Sequence, residues 1–466
     1  MQENKSDQSR TTRVTRRDFI KEATLATAAF TIVPRHVLGG PGYQAPSDTL
    51  NIAGVGIGGV GRNNLMACES ENIVALCDVD DQNAASVFER YPNAKQHKDF
   101  RVMLEKQKDI DAVIVATPDH THAVVAMAAM TLGKHVYVQK PLTHSVYEAR
   151  LLTETARKNK VMTQMGNQGH SGEGTRLICE WIWDGAIGPV HEVHAWTNRP
   201  VWPQGIEMSR PAEAIPVPDS MDWDLWLGPA AARPYHPAYH PARWRAWWDF
   251  GTGSLGDMGC HILDPLFWAL RLKYPVSVEG CTSTYWHDFF QKTEPKNEVY
   301  PRCSIVRMKF PAREGMPVVK VNWYDGGMMP PRPDVLELGR KLGDEDGGLL
   351  FIGEKGILMT GCYGQRPRLI PETTMQAYSQ PEKTIPRIAN DMSGHEQDWI
   401  RSCKDGNPAS SNFDYSGPLS EMVLMGNLAV RFPNKELKWD GEQMKVTNDP
   451  DADSYVRRIY REGWSL

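Results

Sequence analysis

The sequence predicts an α/β chain: a doubly wound parallel sheet, then an α+β domain with an open, mostly antiparallel sheet. Three observations predict it. Apolar runs alternate with helical stretches from Leu50 to about residue 165; the first run passes straight into a glycine-rich turn; and beyond Val190 the alternation stops, leaving half-exposed strands between proline-rich loops. At 466 residues the chain is too long for one core. It divides into a leader over 1–46, a first domain over 47–166 and a second over 167–466.

The first strand, from Leu50, ends in Gly56-Ile57-Gly58-Gly59-Val60-Gly61, and a helix is expected from Asn63. Asp78 closes the next apolar run, Ile73 to Cys77, about twenty residues after Gly56, the spacing of a dinucleotide fingerprint. Gly56 permits the tight turn, Gly58 lets the backbone approach a pyrophosphate, and Gly61 lets the helix pack closely. The helix N-terminus faces the phosphates, and Gly59, Val60 and Arg62 join the expected cofactor contacts. Asp78 is expected to accept hydrogen bonds from the adenosine ribose. A carboxylate there repels a 2'-phosphate, so NAD is favoured over NADP.

Further along, a second helix ends over Val87 to Tyr91, a short strand covers Ala94 to His97, and a helix follows around Phe100 to Gln107. The unbroken apolar run Ala112 to Ala116 reads as a strand buried on both faces, ending in Thr117-Pro118. A helix from His122 to Leu132, stopped by Gly133, leads to the strand His135 to Val138. After a helix over Thr175 to Trp183, the alternation of Val190 to Trp196 marks a strand with one exposed face. Helices are expected again over Glu396 to Cys403 and Leu419 to Val430.

Eleven of the 15 tryptophans fall between Trp181 and Trp286. Indole faces suit the apolar face of a sugar ring, and Trp247 and Trp248 are the substrate contacts expected from this group. The loop Gly166-Asn167-Gln168-Gly169-His170, at the junction of the domains, adds Asn167, Gln168 and His170. Lys140 follows the last strand of the first domain, at the edge where open sheets bind ligands. Its ammonium could stabilise a hydroxyl that is losing its proton. Asp257 and His261 stand four apart and share a face if helical; the imidazole could take that proton while the carboxylate orients it.

Taken together, Gly56 to Gly61, Thr117-Pro118 with His120 and His122, Gly133-Lys134-His135-Val136, Lys140-Pro141, Asp257 and His261 resemble the Gfo/Idh/MocA oxidoreductase family, named for glucose-fructose oxidoreductase and inositol dehydrogenase. The resemblance covers most of residues 48 to 430. It implies a Rossmann domain paired with an open-faced mixed sheet, with Lys140, Asp257 and His261 as the catalytic set and histidine as proton acceptor. Thr117, Pro118, His120 and His122 would then support the nicotinamide side, beside Gln139 and Lys140. One position departs: the family usually has Glu-Lys-Pro, and Gln139 removes a carboxylate beside Lys140.

The first residues add a constraint. Thr15-Arg16-Arg17-Asp18-Phe19-Ile20-Lys21, followed by a mildly apolar stretch to Val33, reads as a twin-arginine export signal, too short to span a bilayer. An exported enzyme has no free NAD to draw on, so the expected arrangement is a tightly bound NAD carried through export and recycled on the protein. The expected reaction is oxidation of a secondary hydroxyl of a sugar or glycoside, at C3 by the resemblance. Two alternatives stand beside it: a redox-neutral NAD-dependent glycoside hydrolase, and a sugar-binding protein that keeps NAD without turnover.

The net charge of −5 and the lack of a long basic run argue against nucleic acid, leaving a small carbohydrate as partner. No other segment could span a membrane. The eight cysteines show no CxxC spacing, so free thiols and no metal site are expected. An open sheet face favours a homo-oligomer.

Overall fold

The structure, a computed structural model, describes residues 48–205, 208–293 and 298–466. The export signal expected near the start lies outside the described residues. Residues Leu50–Leu466 make up one unit, built in two layers.

Its first layer is a six-stranded sheet. Strands β1 (Asn51–Val55), β2 (Asn72–Cys77), β3 (Lys95–His97), β4 (Ala112–Val115), β5 (His135–Gln139) and β6 (Thr163–Gly166) lie in the spatial order β3-β2-β1-β4-β5-β6. Every pairing is parallel. The order reverses between β1 and β4, which leaves a crevice at their carboxyl ends. The helices between strands are α1 (Gly59–Ala67), α2 (Asp81–Arg90), α3 (Phe100–Lys106), α4 (Asp119–Thr131) and α5 (Val146–Asn159). Asp80 caps α2 through the N–H groups of Gln82 and Asn83, and Ser145 with Glu148 forms a capping box on α5. α1 starts four residues before the expected Asn63, since the last glycine of the motif is itself helical. Likewise α4 starts at Asp119, directly after Pro118, rather than at His122.

The second layer follows α6 (Glu173–Trp183). It is a nine-stranded mixed sheet of β7 (Val190–Thr197), β8 (Ser277–Thr282), β11 (Ser304–Phe310), β12 (Val319–Tyr324), β13 (Gly347–Gly353), β14 (Ile357–Gly361), β15 (Arg368–Ile370), β16 (Glu436–Asp440) and β17 (Lys445–Val446). Their order is β15-β14-β13-β7-β12-β11-β8-β16-β17, and only β7 with β12 is parallel. A separate hairpin pairs β9 (Trp286–Asp288) with β10 (Gln291–Lys292). Between the sheets' strands run α7 (Trp223–Leu227), α8 (Gly253–Ile262), α9 (Asp264–Ala269), α10 (Glu372–Ala377), α11 (His395–Asp405), α12 (Phe413–Arg431) and α13 (Pro450–Ser454).

Two late helices tie the layers together. α11 returns to the first sheet: Trp399 is fully buried and meets the Tyr137 ring edge-on at 5.6 Å. α12 packs against α5, where the Thr153 hydroxyl donates to the Phe413 carbonyl, and against β8, where a side chain on Gly280 would meet the Ala429 carbonyl at 2.4 Å. It runs through Pro418, so it begins six residues before the expected Leu419.

The tryptophan-rich stretch forms a small core of its own. Trp223, Trp226, Tyr239, Trp244, Trp247 and Phe250 are buried together, with Trp223 stacked on Trp226 at 4.6 Å. All eight cysteines are free thiols, five of them buried. Among the described residues no helix is long and apolar enough to cross a membrane.

Candidate active site

A cavity of about 420 Å³ opens at the carboxyl ends of β1, β2, β4 and β5 and runs from Gly58 and Asp78 to Lys140 and Asp257. Its far wall comes from residues beyond the first sheet, Leu225, Trp226, His240, Trp244 and Arg245, and from Trp464 near the C-terminus.

The glycine end is made of backbone. Gly56 has φ +75°, and a side chain there would meet the Thr117 nitrogen at 2.7 Å. At Gly61 a side chain would lie 2.0 Å from the Gly56 carbonyl oxygen, so only glycine lets α1 close on the turn. Gly59, at φ +50°, has open space where a side chain would be. The N-terminus of α1 has no side-chain cap and no acidic residue in its first turn. Its free N–H groups and partial positive charge suit a pyrophosphate. Asp78 anchors the turn: Oδ2 accepts from the N–H of Ile57 at 2.9 Å and of Gly58 at 3.3 Å, and Oδ1 from that of Asp80 at 3.0 Å. Burial raises its pKa, and these three donors oppose the rise. The carboxylate lines the cavity and keeps lone pairs that would accept from the hydroxyls of an adenosine ribose. The residues present therefore fit a dinucleotide.

The other end is made of charged side chains. Lys140 donates to the Asp257 carbonyl at 2.5 Å and to Asp257 Oδ1 at 3.1 Å. Arg245 Nε stands 3.5 Å from Oδ1 of the same carboxylate, and Arg199 Nε 3.8 Å from its Oδ2. Arg199 also pairs with Asp346 at 3.1 Å. Burial alone would raise the Asp257 pKa, but Lys140 and then Arg245 outweigh it and hold the group below the usual carboxylate range. One turn along α8, His261 is buried, and its Nδ1 has no hydrogen-bond partner. The ring packs against Tyr363 at 4.8 Å. Burial first, then Lys140, pushes the imidazole pKa well down, so the ring is neutral near neutral pH, and it lies outside the cavity lining. Asp119, also on the cavity wall, is raised by burial and accepts from the Thr252 hydroxyl.

Of the expected cofactor contacts, Gly56, Gly58, Gly59, Val60, Asp78, Thr117, Pro118, His122, Gln139 and Lys140 line the cavity. Gly61 lies beneath the turn, and Arg62 is exposed outside the lining. His120 turns away: its ring nitrogens face the carbonyls of Phe250 at 3.3 Å and Trp226 at 3.0 Å, and burial drives its pKa down to about 3. Gln139 donates from Nε2 to Asn64 at 3.0 Å, and Asn64 donates to Glu396 of α11 at 2.7 Å. A carboxylate thus stands two hydrogen bonds from Gln139, supplied from far along the chain.

The expected sugar contacts stand elsewhere. His170 is fully buried, with Nδ1 3.0 Å from Asp264 and its ring stacked on Trp268 at 4.5 Å. Asn167 is fully buried and accepts from the Ser411 hydroxyl at 2.7 Å, and Gln168 lies outside the cavity lining. Trp247 is core, donating to the Ala238 carbonyl at 2.9 Å, and Trp248 packs on Tyr300 at 3.6 Å. The indoles on the cavity wall are Trp226, Trp244 and Trp464. Sequence reasoning missed Arg199 and Arg245. Arg245, flanked by Trp244 and Trp247, carried a weak signal, and Arg199, just past the end of β7, carried none.

Comparison with known proteins finds relatives of both domains. Residues 50–167 match the model of the oxidoreductase family, NAD-binding Rossmann fold, and residues 193–290 match the C-terminal alpha/beta domain of the same Gfo/Idh/MocA group. These two segments, together just under half of the chain, are similar to the two domains of the Gfo/Idh/MocA oxidoreductases. An inositol 2-dehydrogenase of Salmonella typhimurium is 30% identical over 152 residues, 31% of this chain and 45% of that protein. A glycosyl hydrolase family 109 protein of Shewanella pealeana is 26% identical over 220 residues, 41% of this chain and 47% of its own. The aligned stretch thus spans about half the length of these relatives. Among solved structures, the WlbA dehydrogenase of Bordetella pertussis, in complex with NADH and UDP-GlcNAcA, shares the fold with a TM-score of 0.56 at 17% identity, over 84% of this chain and 99% of that one.

Proposed function

We propose that this protein is an NAD-dependent dehydrogenase that oxidises a secondary hydroxyl of a sugar or glycoside, C3 by family resemblance, with the coenzyme held tightly and the enzyme exported by the twin-arginine route. The observation that carries the reading is the continuous cavity joining the glycine turn to Lys140 and Asp257. When bound, a nicotinamide coenzyme supplies the hydride acceptor. Lys140, held by Asp257, binds the substrate hydroxyl and stabilises its developing negative charge. His261, neutral and one helical turn from Asp257, is assigned the proton by family resemblance. Trp226 and Trp244 line the cavity and help exclude water from it. The names of the relatives, which speak of inositol and of a sugar nucleotide, support a polyol or sugar as the substrate class.

A second reading, the redox-neutral glycoside hydrolase, is favoured by the match to the glycosyl hydrolase family 109 protein. Products separate the two. Incubation with an aryl glucoside and NAD gives a keto-glycoside with reduced coenzyme for the dehydrogenase, and free phenol without net reduction for the hydrolase. A freshly purified protein whose denatured extract contains no NAD(H), and which takes up none, would refute both.

A further inference from the structure

Residues 455–466 lie outside both family-matched segments, yet they return to the cavity. Four hydrogen bonds hold them there. Arg458 donates to the His120 carbonyl at 3.0 Å, at the start of α4. Arg461 donates from Nε to the Gly228 carbonyl and from Nη2 to the Asp224 carbonyl, both at 2.8 Å. The Arg461 N–H reaches the Pro229 carbonyl at 3.1 Å. The segment is thereby fastened to α4 and to the end of α7, both of which contribute lining residues, among them Thr121, His122, Leu225 and Trp226.

The ties deliver Trp464. Its indole lines the cavity beside Val79, Lys98 and Phe100, past the carboxyl ends of β2 and β3. The Phe100 ring lies 6.2 Å away, and the guanidinium of Arg101 stands over the indole at 4.5 Å. The direction of a bound dinucleotide is set by the turn. With its pyrophosphate at the start of α1 and its adenosine ribose at Asp78, the nicotinamide points toward Thr117 and Lys140. The adenine then points the opposite way, toward Val79, Phe100 and Trp464.

We propose that Trp464, presented by the arginine-tied C-terminal segment, is a coenzyme-binding residue that stacks on the adenine ring and slows release of NAD. This rests on the coenzyme reading above and supplies a physical means of retention. A purine offers a flat π face, and an indole already positioned by Arg101 and Phe100 meets it with little loss of rotamer freedom.

The test uses the full chain loaded with NADH and chased with excess ADP-ribose, with release followed by dihydronicotinamide fluorescence. Trp464→Ala is expected to release NADH about tenfold faster or more. Trp464→Phe should stay near the wild-type rate, and Arg461→Ala, which unties the segment, should also accelerate release. Where Trp464→Ala is too unstable to load, Trp464→Leu keeps apolar bulk without a planar face and is expected to give the same acceleration. Affinity for nicotinamide mononucleotide, which has no adenine, should not change. Release from the alanine or leucine variant at the wild-type rate, or an equal loss of affinity for the mononucleotide, would overturn the proposal while leaving the dehydrogenase reading intact. A wild-type protein that binds no nicotinamide coenzyme would remove both.

Discussion

At its Gly58 end the cavity is built on backbone from one strand, turn and helix, whereas at Lys140 it meets a cluster of charged side chains from four separate segments, all but Arg199 lining the wall. Lys140 follows β5, Arg199 follows β7, Arg245 comes from the tryptophan-rich stretch and Asp257 from α8. The glycine end owes its shape to φ angles and to the close approach of Gly61 to Gly56, so it tolerates no added methyl group where the chain touches itself. The charged end owes its shape to mutual neutralisation, with one carboxylate shared by three cations. The difference teaches where each end is fragile: steric insertion damages the first, and loss of a single charge damages the second.

The largest predicted effect separates the ends outright. Replacing His261 with Ala should lower turnover of any active sugar by about 10²- to 10⁴-fold while NAD still binds; turnover at the wild-type rate removes His261 from the chemistry. Asp257→Asn leaves Lys140, Arg199 and Arg245 without their shared counter-ion. A loss of kcat of about 10²-fold is expected, with coenzyme affinity nearly unchanged by calorimetry. Gly61→Ala should do the reverse, weakening NAD by about tenfold or more because α1 must move. Gly59→Ala, with open space around it, should cost only about 1 kcal/mol of stability for its left-handed backbone. Equal penalties at Gly61 and Gly59 would contradict a turn limited by contact.

A histidine that belongs to neither end serves as control. His170→Ala breaks a buried pair with Asp264 and should destabilise the fold by about 3 kcal/mol, read from the denaturant midpoint. The KM for sugar should not change, and a KM shift without loss of stability would return His170 to the substrate cleft.

The smallest effect is the response to acid. Burial lowers the pKa values of His120, His144, His261 and His395, so each contributes stability that is complete above the unfolded value near 6.5. That contribution falls as pH drops through and below 6.5, toward about 3 for His120. Asp325, pushed up to about 6 by burial, acts in the opposite sense from its ordinary 3.8 upward. With His135 and His194 lowered as well, six histidines against four raised carboxyl groups, Asp78, Asp119, Asp325 and Glu421, predict a lower urea midpoint at pH 5 than at pH 7; a flat profile would mean the rings take up protons in the folded state.

Much of the nucleotide-binding half was legible because its signals are local. The strand, glycine turn and helix lie within a few turns of chain, and Asp78 ends the very next strand. His170, Trp247 and Trp248 show the limit of the same reasoning. Residue type and loop position suggested a sugar cleft, but the stacking of Trp268 on His170 and the packing of Trp247 among Tyr239 and Phe250 place those two in core, and Trp248, half-buried, packs on Tyr300 outside the cavity lining. Gln139 is similar: the sequence shows a missing carboxylate, and folding returns one through Asn64 from Glu396, 332 residues beyond Asn64.

Alternation of strands and helices, the glycine turn and the acidic strand end were enough to specify a dinucleotide fold and the edge at which its ligand sits, because turn geometry and hydrophobic period act over a few residues. The company kept by Lys140 was not specified that way. Asp257 lies 117 residues further on, and Trp464 returns from the far terminus. Such meetings depend on how whole layers pack, which no local spacing encodes.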